Sequence, residues 1–336
     1  MSVRYKSSLR ISPAKRVTLC ALVCLITLHM TVVAASGQSK RHAQRKSSAP
    51  PASKPFACGQ GVELRLSAPE SGQGSLLLAE LRSAKPISEL TASWDDKEIP
   101  FWQAGAPAPT PKGLDVRRAL LGVDLEKPAG KFDLTVSAKV EGGDAVQCIA
   151  GIAVRAGKFA TERLKVAPNF VEPNPEQLAR AEEERKRLRE IFATVTPEKL
   201  WRGAFRVPLD GATTGGNFGR RRVLNGQPGS PHSGVDFPAP TGTPVYAAQR
   251  GRVVLAEPLY FSGNTVIIDH GWGVYTLYGH FAEIDVKPGD VIEAGGLLGK
   301  VGATGRVTGP HLHWGLTVNR ARVNALDIVA LGRAAE

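Results

Sequence analysis

Three short segments in the last third of the chain carry its densest chemistry. They read Pro231-His232-Ser233-Gly234-Val235-Asp236, Leu277-Tyr278-Gly279-His280 and Gly309-Pro310-His311-Leu312-His313-Trp314, and they hold four of the seven histidines. Zinc takes imidazole nitrogen and carboxylate oxygen, and a hydrolytic site keeps three protein ligands and one open position. These segments can supply such a triad and still leave two histidines to act on a substrate. Their residue types therefore suit metal-assisted hydrolysis, with one Zn2+ per chain. A lone histidine on a strand is more often packing than ligand, and His270, in Ile267-Ile268-Asp269-His270-Gly271, reads as structural.

These residues need elements to position them. The run from Pro310 to Val318 is apolar and β-branched and reads as a strand. Alternate residues of a strand share a face, so His311 and His313 point the same way. His232 and Asp236 are four apart, but Pro231, Gly234, Pro238 and Pro240 argue against a helix. In a straight strand they would stand roughly 13 Å apart. Sharing one metal therefore requires a bend, and Ser233-Gly234 is the place for it.

The stretch from about Phe205 to Val323 resembles the lysostaphin-type zinc metallopeptidases, which cut peptide bonds in bacterial cell walls. The resemblance rests on His232-Ser233-Gly234-Val235-Asp236, on Gly263–Gly271, on Tyr275–His280 and on Gly302–His313. It implies that His232, Asp236 and His313 bind zinc and that His280 and His311 are catalytic. It also implies a mostly antiparallel β-sheet with a groove on one face. No family metal or catalytic position is substituted.

Without a His-Glu-x-x-His helix, no glutamate is placed as general base, so a neutral histidine must take that role. His311 is expected to take the proton of the attacking water and His280 to hydrogen-bond the developing oxyanion; the two roles could be exchanged. Asn217 and Arg221, in the segment before the first ligand, are candidates for holding substrate carboxylate or carbonyl groups. Tyr278 and Trp314 flank the catalytic candidates and read as wall packing sooner than recognition.

Residues 1–35 have a basic start, an apolar run and the ending Val33-Ala34-Ala35. That describes a secretory signal cleaved after Ala35, with an uncleaved anchor as the alternative. Of the net charge of +12, +5 lies in residues 1–35 and another +5 in residues 36–55. The second of these is a basic linker too poor in apolar residues to build a core. It either holds the protein near an anionic wall or membrane surface or is a solvated spacer. The folded remainder is nearly neutral, which excludes nucleic acid as a partner.

Past the leader only Cys58 and Cys148 remain, a pattern for one disulfide in an exported chain. Residues 56–157 show short alternating segments, such as Val62–Leu66, Lys131–Ala138 and Cys148–Val154, separated by turn-rich breaks. This predicts an immunoglobulin-like β-sandwich with the disulfide tying its first and last strands. Residues 158–200 form a linker with a helix over about 175–193, capped by Asn174 with Pro175 and Gln177 behind it. Leu178, Ala181, Leu188, Ile191 and Phe192 make its apolar stripe. Residues 201–336 form the metallopeptidase part, and the fold class is mainly β.

The expected function is zinc-dependent endopeptidase action on peptide crosslinks or stems of bacterial peptidoglycan, in the periplasm or cell envelope. The rival is a non-catalytic regulator that binds and activates another wall hydrolase. The intact five-residue set argues against the rival, because a binding module has no need of it.

Overall fold

The computed structural model describes residues 54–104, 113–212 and 216–332. The leader, all of the basic linker but its last two residues, and Thr213-Thr214-Gly215 lie outside them. Among the described residues no helix is long and apolar enough to cross a membrane.

Alternation builds the N-terminal part. Val62, Leu64 and Leu66 turn inward along the Val62–Leu66 strand, while Glu63 and Arg65 between them are partly exposed and pair with each other. Five strands form one sheet and five another, and both contribute to one apolar core containing Leu81 and Leu121 from the first and Leu134 and Ile152 from the second. Two sheets closed over one core make a β-sandwich. Cys58, on the Phe56–Gly59 strand of the first sheet, is bonded to Cys148 on the Ala145–Arg155 strand of the second.

The C-terminal part is a nine-stranded sheet. Its main path runs Gly234–Pro238, His311–Val318, Val274–Ile284, Gly263–Asp269, Gly251–Leu259, each antiparallel to the next. Val235, Phe237, Leu312, Trp314 and Leu316 send their side chains into the core. The residues between them, Asp236, His311 and His313, must therefore face the other way. Tyr278 and Trp314 are fully buried, which makes them packing residues.

The helix Pro175–Ala193 begins at Asn174, whose side chain accepts from the Gln177 amide while Gln177 answers the Asn174 amide. Leu188, Ile191 and Phe192 pack on Leu255, Leu259, Ile267 and Tyr275 of the sheet. Leu178 departs from the expected stripe. It stays 45% exposed and outside that cluster, while this part of the helix is held by polar contacts, Arg180 to the Pro258 carbonyl and Glu184 to the Tyr260 amide.

The sandwich and the sheet share a packed joint. Trp102 meets Trp201 edge-on at 5.1 Å, and both belong to the core that holds Val318 and Ala321. Arg322 pairs with Asp124, and the Asn319 amide donates to the Leu120 carbonyl. A third, three-stranded sheet forms where Thr161–Leu164, from the linker, lies parallel to Arg221–Leu224.

Candidate metal centre

Asp236 and His313 sit directly opposite each other in the pairing of their strands, as do Pro238 and His311. This register delivers a carboxylate and two imidazoles to one face of the sheet. His232 lies just before the Gly234–Pro238 strand and is tied to the Arg220 and Gly219 backbone. Its Nε2 comes 3.0 Å from Asp236 Oδ1 and 2.9 Å from His313 Nδ1, and His313 Nδ1 is 2.9 Å from Asp236 Oδ1. The three segments thus do converge.

The donor set fits zinc. Two imidazole nitrogens and one carboxylate oxygen form a compact triangle. Bonds of about 2.0–2.1 Å to a tetrahedral ion would open its edges to roughly 3.3 Å, a small movement. The outer shell is also built. His232 Nδ1–H donates to the Asn217 carbonyl, which leaves Nε2 free as a ligand. The Asn217 side chain donates to Asp236 Oδ2 and accepts from the Asp236 amide. Asn217 therefore braces both the first histidine and the carboxylate, where a substrate contact was expected.

Gly234 has a role that differs from the expected one. Its backbone is not left-handed. A Cβ there would lie 2.5 Å from His313 Cε1 and 2.6 Å from Nε2, so glycine makes room for the imidazole ring.

Burial and charge set the ionisation. Burial alone would raise the Asp236 carboxyl, but hydrogen bonds from His232 and His313 hold it well below the usual carboxylate range. Burial lowers His313 to about 4 against the pull of Asp236 in the other direction. Burial, then the neighbouring His313 and His311, lowers His280 to about 3. An ionised carboxylate beside neutral His313 and His280 suits the site to receive a cation.

His280 reaches the site by a local irregularity. One extra residue in the Val274–Ile284 strand shifts its register against Gly263–Asp269 beyond Tyr278, and His280 adopts φ 68°. A bulge of this kind re-aims a side chain. His280 Nδ1–H donates to the Thr304 carbonyl and His311 Nδ1–H to the Gly309 carbonyl, and the two rings lie 4.7 Å apart. Both histidines line a cleft of about 250 Å³ together with Asp236 and Asn217.

Arg221 is not among the residues lining the cleft. It is exposed, and the next residue, Arg222, lines it instead, 3.7 Å from Asp236. The linker contributes Glu162, Leu164 and Val166 to the same wall, which residue spacing gave no means of foreseeing. His270 is structural: fully buried, it bonds the Arg250 carbonyl and the Thr276 hydroxyl.

Comparison with known proteins agrees with this geometry. A family model described as peptidase family M23 matches residues 230–325. The peptidoglycan DD-endopeptidase ShyA of Vibrio cholerae is 41% identical over 131 residues, which is 38% of this chain and 30% of that protein. The DD-carboxypeptidase/endopeptidase Mpg of Neisseria meningitidis is 41% identical over 97 residues, 29% of this chain and 22% of that protein. This chain thus aligns with less than a third of the length of these curated relatives. A Pseudomonas aeruginosa crystal structure named for peptidase M23 superposes with a TM-score of 0.57 at 28% identity, over 75% of this chain and 93% of that one.

Proposed function

Residues 230–325 being an M23 peptidase domain of the lysostaphin type, we propose that the protein is a zinc metalloendopeptidase that hydrolyses peptide crosslinks or stems of bacterial peptidoglycan. The observation that carries this reading is the convergence of His232, Asp236 and His313, with Asp236 lining a cleft that also holds His280 and His311. The names of the Vibrio and Neisseria relatives support a wall peptide as substrate.

His232, Asp236 and His313 would hold zinc, which when bound lowers the pKa of a water and polarises a scissile carbonyl. The remaining work belongs to the two other histidines. Each gives its Nδ1–H to a backbone carbonyl, so each offers the lone pair of Nε2 to the cleft. His311 Nε2 lies 3.7 Å from Asp236 Oδ1, and the carboxylate stabilises the imidazolium that forms when His311 takes the water's proton. The same proton then serves the leaving amine. His280, more deeply buried and fixed by Thr304, offers its neutral Nε2 beside His311 as a second acceptor, so the two histidines can exchange the role of base.

The same reading has the enzyme working outside the reducing cytosol, in the periplasm or cell envelope. The leader-like residues 1–35 and the Cys58–Cys148 bond support this.

The test is a digest of purified peptidoglycan by the full chain, with and without a chelator, beside His311→Ala, with fragments identified by mass. Chelator-sensitive cleavage that disappears in the variant is expected. No cleavage in any form with zinc supplied would overturn the reading in favour of a regulator of another wall hydrolase.

A further inference from the structure

Two guanidinium groups enter the cleft from separate elements. Arg222 comes from the Arg221–Leu224 strand, and Arg306 from the loop before His311. Both line the cavity that holds Asp236, His280 and His311. Neither has a carboxylate of its own there. Arg306 lies over the Phe261 ring at 4.6 Å, and among the described residues no carboxylate stands within ion-pair distance of it. Among the described residues Arg222 is within ion-pair distance of Asp236 alone, at 3.7 Å, a carboxylate it shares, and its Nε is buried without a hydrogen-bond partner. Asp236 is meanwhile engaged by His232, His313 and Asn217. Glu162, the next acid on this wall, is bonded to Arg220.

Holding two cations together in a partly desolvated cleft is unfavourable unless an anion joins them. The fold nonetheless fixes Arg306 firmly. Gly305 is left-handed at φ 75°, and a Cβ there would meet the Gly263 nitrogen at 2.3 Å. The Arg306 amide bonds the Phe261 carbonyl, and Thr304, two residues back, orients His280. A planar, pre-oriented fork of donors matches a carboxylate.

We propose that Arg222 and Arg306 form a carboxylate-binding subsite that selects peptides bearing a free carboxylate beside the scissile bond. The inference rests on the endopeptidase reading and narrows it. Acidic stem peptides are substrates, and bridges made only of glycine are poor ones. The buried Nε of Arg222 and the unpaired head group of Arg306 both gain an acceptor when such a peptide binds.

The experiment uses the zinc-loaded full chain and two crosslinked peptides that differ only in a carboxylate or carboxamide on the residue next to the scissile bond. The carboxylate form should be favoured at least about tenfold in kcat/KM, mainly through KM. Arg306→Gln should bring that ratio to about one, and Arg306→Lys should restore part of it. Equal rates for the two peptides with the unaltered chain would overturn the subsite while leaving the endopeptidase intact, and this comparison needs no variant to fold. An undiminished ratio in Arg306→Gln would also overturn it. Failure to cleave either peptide or the wall itself would instead remove the endopeptidase reading and the subsite with it.

Discussion

Gly234 lies against the imidazole of His313, so close that a Cβ would fall 2.5 Å from its Cε1 and 2.8 Å from the Trp314 carbonyl. The glycine of the His-x-Gly-x-Asp segment is therefore a matter of space for a candidate ligand on the neighbouring strand. Gly234→Ala should displace His313 and lower bound zinc well below one per chain. Metal analysis of the purified variant, with circular dichroism to confirm the sheet, checks this.

Asn217 touches two of the three metal-binding candidates without being one. Outer partners of this kind are worth about 10–100-fold in metal affinity. Asn217→Ala should weaken zinc binding by that factor in competition with a chromophoric chelator. An unchanged affinity would return Asn217 to the role of a substrate contact.

The sequence was legible where residue type and local period act together. His311 and His313 share a face because a strand alternates, and Asn174 starts a helix because its side chain and that of Gln177 answer each other's amides. The choice between Arg221 and Arg222 was not legible. A shift of one residue turns a strand side chain to the opposite face. The face is set here by pairing with Thr161–Leu164, some sixty residues away, and no local pattern announces that partner. Leu178 shows the same limit: its place in an apolar stripe is local, but whether anything covers it is decided by tertiary contacts, and it stays outside the cluster that Leu188, Ile191 and Phe192 join.

His270 gives the fold an acid-sensitive point away from the metal centre. Burial lowers its pKa to about 4 from the ordinary 6.5. The unfolded chain therefore binds a proton that the folded chain refuses, and stability is lost as pH falls from about 6.5 towards 4. A shift of this size is worth on the order of 3 kcal/mol over that window. Denaturant titrations between pH 7 and pH 5 should show a shallower dependence for His270→Gln than for the unaltered chain.

The Cys58–Cys148 bond closes a loop across a sequence separation of 90. Constraint of the unfolded chain by a loop of this length is worth about 4.6 kcal/mol. Cys58→Ser with Cys148→Ser should lower the melting temperature of the sandwich by roughly 15 °C or more. Zinc content should remain at the level of the unaltered protein, because neither Cys58 nor Cys148 belongs to the site.

The Thr161–Leu164 strand has one further consequence, for where this protein can be cut. A fragment starting at Trp201 would retain His232, Asp236, His280, His311 and His313, yet one bank of its groove, with Glu162, Leu164 and Val166, would be gone. Arg220 would lose its acidic partner, and the Arg221–Leu224 strand would become a bare edge open to any other chain. The smallest piece that could be transplanted with its groove whole begins near residue 158, well upstream of the candidate metal ligands themselves.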